Sequence, residues 1–305
     1  MSFDIELITM TEIQDSIITP SLPLHIHKCR CQQHPLHIHC STTCISERLV
    51  CPISHFWSHQ ASTLFLSDAY YHSINSISKD AEQIQLDVSR TMIDTKYYCS
   101  ESGSIILSRF LNRLSNFIPQ TGYIQGMNFI ASALLWHSSE SQAFWLFYKL
   151  IKAYGLQENF SEGFPGVLTH FNNIENYIKE YLPDLHTFLC GFEISVQLFA
   201  TDWVICLFCK VIPLKHISLF FSGFLEDGWK YFYFVVVEVL RVLRKDVMRE
   251  TEKFKAFSIL KSVQRGGERY LTGLDGADKK IGAIKWKKLL NSLKKGANLR
   301  KFMGV

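Results

Sequence analysis

The chain has 305 residues, 47% of them hydrophobic and 13% aromatic, with a formal net charge of +4. That length and apolar content allow one or two domains with at least one large core, and they exclude a chain that is disordered throughout. The charge is uneven: residues 250–305 hold 14 Lys and Arg against 5 Asp and Glu, so this end carries +9 and leaves −5 for the rest.

The opening MSFDIELITM has acids where a secretory signal has a positive region and a long apolar run. Nine cysteines, an odd number, fit a reducing compartment better than a disulfide framework. The most apolar stretches are broken by charge, at Asp202 and Lys210 in one and at Glu226, Asp227 and Lys230 in the other, so neither reads as a membrane span. The expectation is a soluble cytoplasmic protein.

Residues 1–55 differ in character from the rest of the chain. PLHIHKCRCQQH from Pro23 runs directly into PLHIHCSTTCIS from Pro35, which gathers five His and four Cys in a near-repeat. Imidazole and thiolate are zinc ligands, yet C-x-C and H-x-H are not the usual zinc spacings. The reading preferred over a zinc site is a poorly ordered, compositionally biased or degenerate segment, with no metal site expected.

From about residue 58 the pattern is helical. DAEQIQLDVSRT sets Ile84, Asp87 and Arg90 three apart, close to one face. SIILSRFLNRLSNFI repeats its apolar positions with a 3.6-residue period. NFIASALLWHSS and SQAFWLFYKLIKAYG predict a buried helix pair with Gly155 as C-cap. VLTHFNNIENYIKEYLP predicts an amphipathic helix stopped at Pro183, and VQLFATDWVICLFCKVIP a core helix that is apolar on nearly every face. WKYFYFVVVEVLRVLRK is rich in β-branched residues, but its length and the spacing of Leu240, Leu243 and Val247 predict helix. The fold class is all-α, with residues 56–250 as the main domain.

Residues 251–305 form a basic tail. In it, KKIGAIKWKKLLNSLKK puts Trp286, Leu289, Leu290 and Leu293 at i, i+3, i+4 and i+7 among lysines. Such a basic amphipathic helix can lie on anionic lipid, at the surface of an endomembrane for example, or dock on its own domain with the lysines in water. Nucleic acid is not the expected partner.

Several chemistries lack their motifs: G-x4-G-K-[ST], G-x-G-x-x-G and H-E-x-x-H are all missing from the sequence. The C-x-x-C of Cys206 and Cys209 sits in VICLFCKV, which reads as apolar helix interior rather than a redox turn. What stands out is TGYIQGMNFIAS, where Gln125, Gly126 and Asn128 interrupt the approach to an apolar helix. Gly126 weakens a helix, and a buried Gln125 amide would need a partner.

Read with IQLDVSRT, that stretch resembles the TBC domain, the all-helical GTPase-activating module for Rab-type small GTPases. The family's I-x-x-D-x-x-R is matched by Ile84, Asp87 and Arg90, followed by Thr91, and its Y-x-Q-G-M-N by Tyr123, Gln125, Gly126, Met127 and Asn128. AFWLFYKLI, FPGV, YLPDL, FATDWVICLF with Trp203 and FLEDGWKYFYF come next in the family's order, over roughly residues 60–248. The resemblance implies a domain of two helical subdomains that binds a GTP-loaded Rab-type protein. It further implies an arginine finger at Arg90 and a glutamine finger at Gln125, with Tyr123, Gly126, Met127 and Asn128 in partner binding and Asp87, Thr91 and Trp203 in support. No cofactor of its own is implied, since GTP and Mg²⁺ belong to the partner.

Three positions depart from the family pattern. Ile53 stands where R-x-x-x-W has its arginine, four before Trp57; Ser89 replaces a proline; Ser222 replaces the acid of an I-W-D motif. They motivate a rival reading, a TBC-like scaffold that binds a GTPase without accelerating hydrolysis. A zinc-dependent interaction protein organised by the His/Cys repeat is the second rival.

Overall fold

The computed structural model describes residues 68–262, apart from 93, 94, 96 and 213. The His/Cys repeat of residues 1–55, the positions Ile53 and Trp57, and the basic segment after 262 lie outside the described residues. Within them the chain forms twelve α-helices and no β-strand: α1 Asp68–Ser73, α2 Ala81–Ser89, α3 Glu101–Phe117, α4 Met127–Leu135, α5 Glu140–Lys152, α6 Leu156–Asn159, α7 Pro165–Tyr181, α8 Pro183–Gly191, α9 Val196–Ile205, α10 Leu214–Asp227, α11 Trp229–Val247 and α12 Lys253–Ser262.

Local chemistry sets several of these boundaries. Ser100 accepts from the Gly103 N–H at the start of α3, and Ser139 and Gln142 cap each other's backbone at the start of α5. Pro183 ends one helix by starting another: α7 stops at Tyr181 and the proline takes the first turn of α8, where its missing N–H costs nothing. Two expectations need correcting. The helix through Trp145 ends on Ala153, and Gly155, left-handed at φ 73°, lies two residues beyond that cap. The apolar run through Trp203 is not one long helix either. It breaks after Ile205, and Leu207 and Phe208 take left-handed φ values of 44° and 59°. The Phe208 N–H then bonds the Trp203 carbonyl, and its ring stacks on Trp203 and meets Phe220 and Phe232. Aromatic burial offsets the backbone cost, roughly 1–2 kcal/mol for each non-glycine residue in that region.

Helices α1–α5 pack chiefly on one another, as do α7–α12, with α6 between the two groups. The core of the first group includes Phe110, Phe144, Trp145 and Phe147, and that of the second Trp203, Phe208, Phe220 and the valine-rich side of α11, all essentially excluded from water. The two groups also meet where the loop before α4 touches the end of α9. A Cβ placed on Gly126 would stand 2.6 Å from Ile205 Cγ2 and 3.5 Å from Cys206 Sγ.

Candidate functional site

The site is built from the end of α2 and the loop that enters α4. Ile84 and Val88 anchor one face of α2 in the core, which turns Asp87 inward too; its carboxylate is fully buried. A buried carboxylate needs partners for both oxygens, and here both have them. Oδ1 accepts from Arg90 Nε at 2.9 Å and Nη2 at 2.5 Å, while Oδ2 accepts from the Tyr123 hydroxyl at 2.8 Å and Gln83 Nε2 at 3.2 Å.

Arg90 is the residue at which α2 ends, and its side chain is 58% exposed. Two of its five N–H donors are spent on Asp87, so one edge of the guanidinium is fixed and the other is free to face a partner. Ser89, in place of the family's proline, bonds the Leu86 carbonyl through Oγ at 2.7 Å, and the helix still ends where Arg90 reaches Asp87. That substitution leaves the ion pair in place. Ser222 lies in α10 beside the fully buried Phe220 and Phe221.

The second half is the loop 122–126. Tyr123 is buried, and burial first, the Asp87 carboxylate second, hold its phenol well above the usual range, so it stays a donor. A second chain of bonds runs alongside. The Gly126 N–H donates to Asn128 Oδ1 at 3.0 Å, Asn128 Nδ2 donates to Thr91 Oγ1 at 2.6 Å, and Thr91 Oγ1 donates to the Asp87 carbonyl at 2.6 Å. Gly126 sits at φ 114° against Ile205, a place with neither conformational nor steric room for a side chain. Within this held loop, Gln125 is exposed and its side chain makes no hydrogen bond to any described residue.

The residues singled out from the sequence therefore fall into two sets. Arg90 and Gln125 are exposed, Arg90 at the end of α2 and Gln125 in the loop that enters α4. Asp87, Thr91, Tyr123, Gly126, Met127 and Asn128 are buried, and hydrogen bonds from Tyr123 to Asp87 and from Asn128 to Thr91 tie the two elements together. Trp203 is fully buried and stacked on Phe208, and its Nε1 finds no hydrogen-bond partner among the described residues. Sequence reading missed Gln83 and Asp80. The i, i+4 spacing of Gln83 to Asp87 was a usable signal; nothing in the spacing of Asp80 marks its bond to the distant loop. Among the described residues no group of three or more His, Cys, Asp or Glu is placed to hold a metal ion, and no single helix is long and apolar enough to cross a membrane.

A family model for the Rab-GTPase-TBC domain matches residues 57–248. The chain belongs to the Rab-GTPase-TBC domain family. Similar proteins include the Rab GTPase-activating protein tbc-11 of Caenorhabditis elegans, 28% identical over 182 residues, which are 59% of this chain and 20% of that protein. Small G protein signaling modulator 3 of Homo sapiens is 26% identical over 205 residues, 66% of this chain and 27% of its own length. The GTPase-activating protein GYP5 of Saccharomyces cerevisiae is 28% identical over 194 residues, with coverage of 59% and 20%. The chain thus spans only about a fifth to a quarter of the curated relatives it matches. The fold is that of solved TBC domains. The Chlamydomonas flagellar RabGAP TBC domain superposes with a TM-score of 0.63 at 18% identity, covering 84% of this chain and 89% of that one. The Ypt/Rab-GAP domain of Gyp1p gives 0.54 at 17%, covering 79% and 81%.

Proposed function

We propose that this TBC domain accelerates GTP hydrolysis by a Rab-type small GTPase in its GTP-bound state, with Arg90 and Gln125 as the two groups supplied to the partner's nucleotide. Hydrolysis spreads negative charge over the transferred phosphoryl group and the leaving oxygen. A guanidinium entering from outside neutralises that charge in a site from which water is excluded. An amide both accepts and donates, so it can hold the attacking water in line. GTP and Mg²⁺ come with the partner.

One observation carries this reading: an exposed arginine and an exposed glutamine rise from two elements that share a single buried carboxylate, through Arg90 on one oxygen and Tyr123 on the other. A surface i, i+3 ion pair alone needs no such second anchor. The relatives named as Rab GTPase-activating proteins support it.

Single-turnover GTP hydrolysis with a panel of Rab-type GTPases tests it. At least one member should be accelerated. Arg90→Ala should lower that stimulation by roughly 10³-fold or more, about 4 kcal/mol of barrier, with Gln125→Ala also strongly impaired. No acceleration across the panel, or full activity in Arg90→Ala, defeats the proposal.

A further inference from the structure

Asp80 stands at the N-cap of α2, where an aspartate ordinarily bonds the first free N–H groups of its own helix. Here it makes no such cap. Its Oδ2 instead accepts from the Tyr123 main-chain N–H at 2.8 Å and from Ser115 Oγ of α3 at 2.6 Å. The loop is shaped to admit it. Gly122 has φ 65°, and a Cβ there would stand 2.9 Å from that same Oδ2, so any other residue would meet the carboxylate.

The consequence is a clamp. Asp80 and Asp87 are seven residues apart, two turns of α2 and therefore on one side of it. Tyr123 lies along that side with its N–H on Asp80 and its hydroxyl on Asp87. One residue of the loop is thus held at both ends of the helix that carries Arg90. The Asp87 carboxylate serves both Arg90 and the loop, whereas the Asp80 carboxylate bonds the loop and α3.

We propose that Asp80 is a positioning residue for Gln125: it fixes the height of the 122–126 loop against α2 through the Tyr123 amide, without contact to the partner or the nucleotide. This rests on the proposed GTPase activation for its kinetic consequence, but its structural content does not.

The test uses the full chain with a GTPase that responds to it. Asp80→Ala should lower kcat of stimulated hydrolysis at least tenfold with KM for the GTPase changed less than about threefold. Asp80→Asn, which keeps an acceptor oxygen, should recover part of the loss. In a Gln125→Ala background, Asp80→Ala should cost less than about twofold, because the group it positions is gone. A general structural defect would cost the same factor in both backgrounds, and that additivity overturns the proposal. Hydrogen exchange gives a readout independent of activity. The Tyr123 amide should be protected in the wild type, and the amides of residues 123–126 should exchange faster in Asp80→Ala or Asp80→Asn. Unchanged exchange in both overturns the proposal even if no GTPase responds, and faster exchange there supports it when activation itself fails. Should Asp80→Ala not fold, Asp80→Asn carries both measurements.

Discussion

At the scale of single residues, the site turns on how a buried carboxylate is satisfied. Asp87 has four donors from three side chains, and removing any one leaves a buried charge short of a partner. Tyr123 is the most informative to remove, because its hydroxyl is given to Asp87 and its ring can stay. Tyr123→Phe should destabilise the protein by about 1–3 kcal/mol in urea unfolding, the range for stranding a buried polar group. It should also reduce stimulated hydrolysis, since Arg90 would lean on a less firmly held base. A change below about 0.5 kcal/mol would mean that Gln83 and water satisfy Asp87 unaided. The types of residue at this site were legible in the chain: Arg90, Gln125 and their neighbours were recognisable by motif. Their division of labour was not. Whether a polar side chain next to Arg90 or Gln125 points out or in depends on which face of α2 meets which loop, and spacing along one helix carries no record of the loop opposite.

At the scale of elements, the long helices were readable wherever one period dominated. Both α3 and α11 form as their apolar spacing predicts, although each is buried beyond its stripe, α11 at every position from Tyr231 to Leu240, and the β-branched residues of α11 did not divert it into a strand. Periodicity failed at the end of α9, where every position is apolar and the pattern is the same for a helix as for a tight buried turn. Only the aromatic contacts of Phe208, made by distant helices, decide that case. The break also sets the surroundings of the C-x-x-C. Cys206 caps α9 and Cys209 lies in the turn; burial pushes the Cys206 thiol up to about 12 and raises Cys209 as well. Thiolate is the reactive form, so neither should alkylate in the native protein at pH 8. Iodoacetamide treatment and peptide mass spectrometry should find exposed Cys99 and Cys190 modified, and Cys206 and Cys209 modified only after denaturant is added. Native labelling of Cys206 would show that the turn opens, and with it the wall against which Gly126 packs.

At the scale of the whole molecule, the second helical group has a polar centre of its own, away from the α2 site. His170 of α7 stacks on Trp229 with ring centroids 3.5 Å apart, and its Nδ1 lies 2.7 Å from the Tyr233 hydroxyl. Asn173 Nδ2 donates to that hydroxyl at 2.8 Å, which leaves the Tyr233 proton to point at His170 Nδ1. A neutral imidazole accepts it; a charged one cannot. Burial drives the His170 pKa down from 6.5 to about 4. Between those two values the unfolded chain binds the proton and the folded one does not, so stability rises with pH across this window. The contribution is complete above about pH 6.5 and is lost as pH falls towards 4, by about 3 kcal/mol in all. Urea unfolding at pH 7 and at pH 4 should therefore show a larger acid loss for the wild type than for His170→Gln, which keeps a polar group but cannot titrate. The other titrating groups, Glu140 among them, are common to both proteins and cancel in the comparison. Equal acid losses would mean that the α7–α11 contact opens to admit water before the imidazole charges, and that the interface is looser than its packing implies.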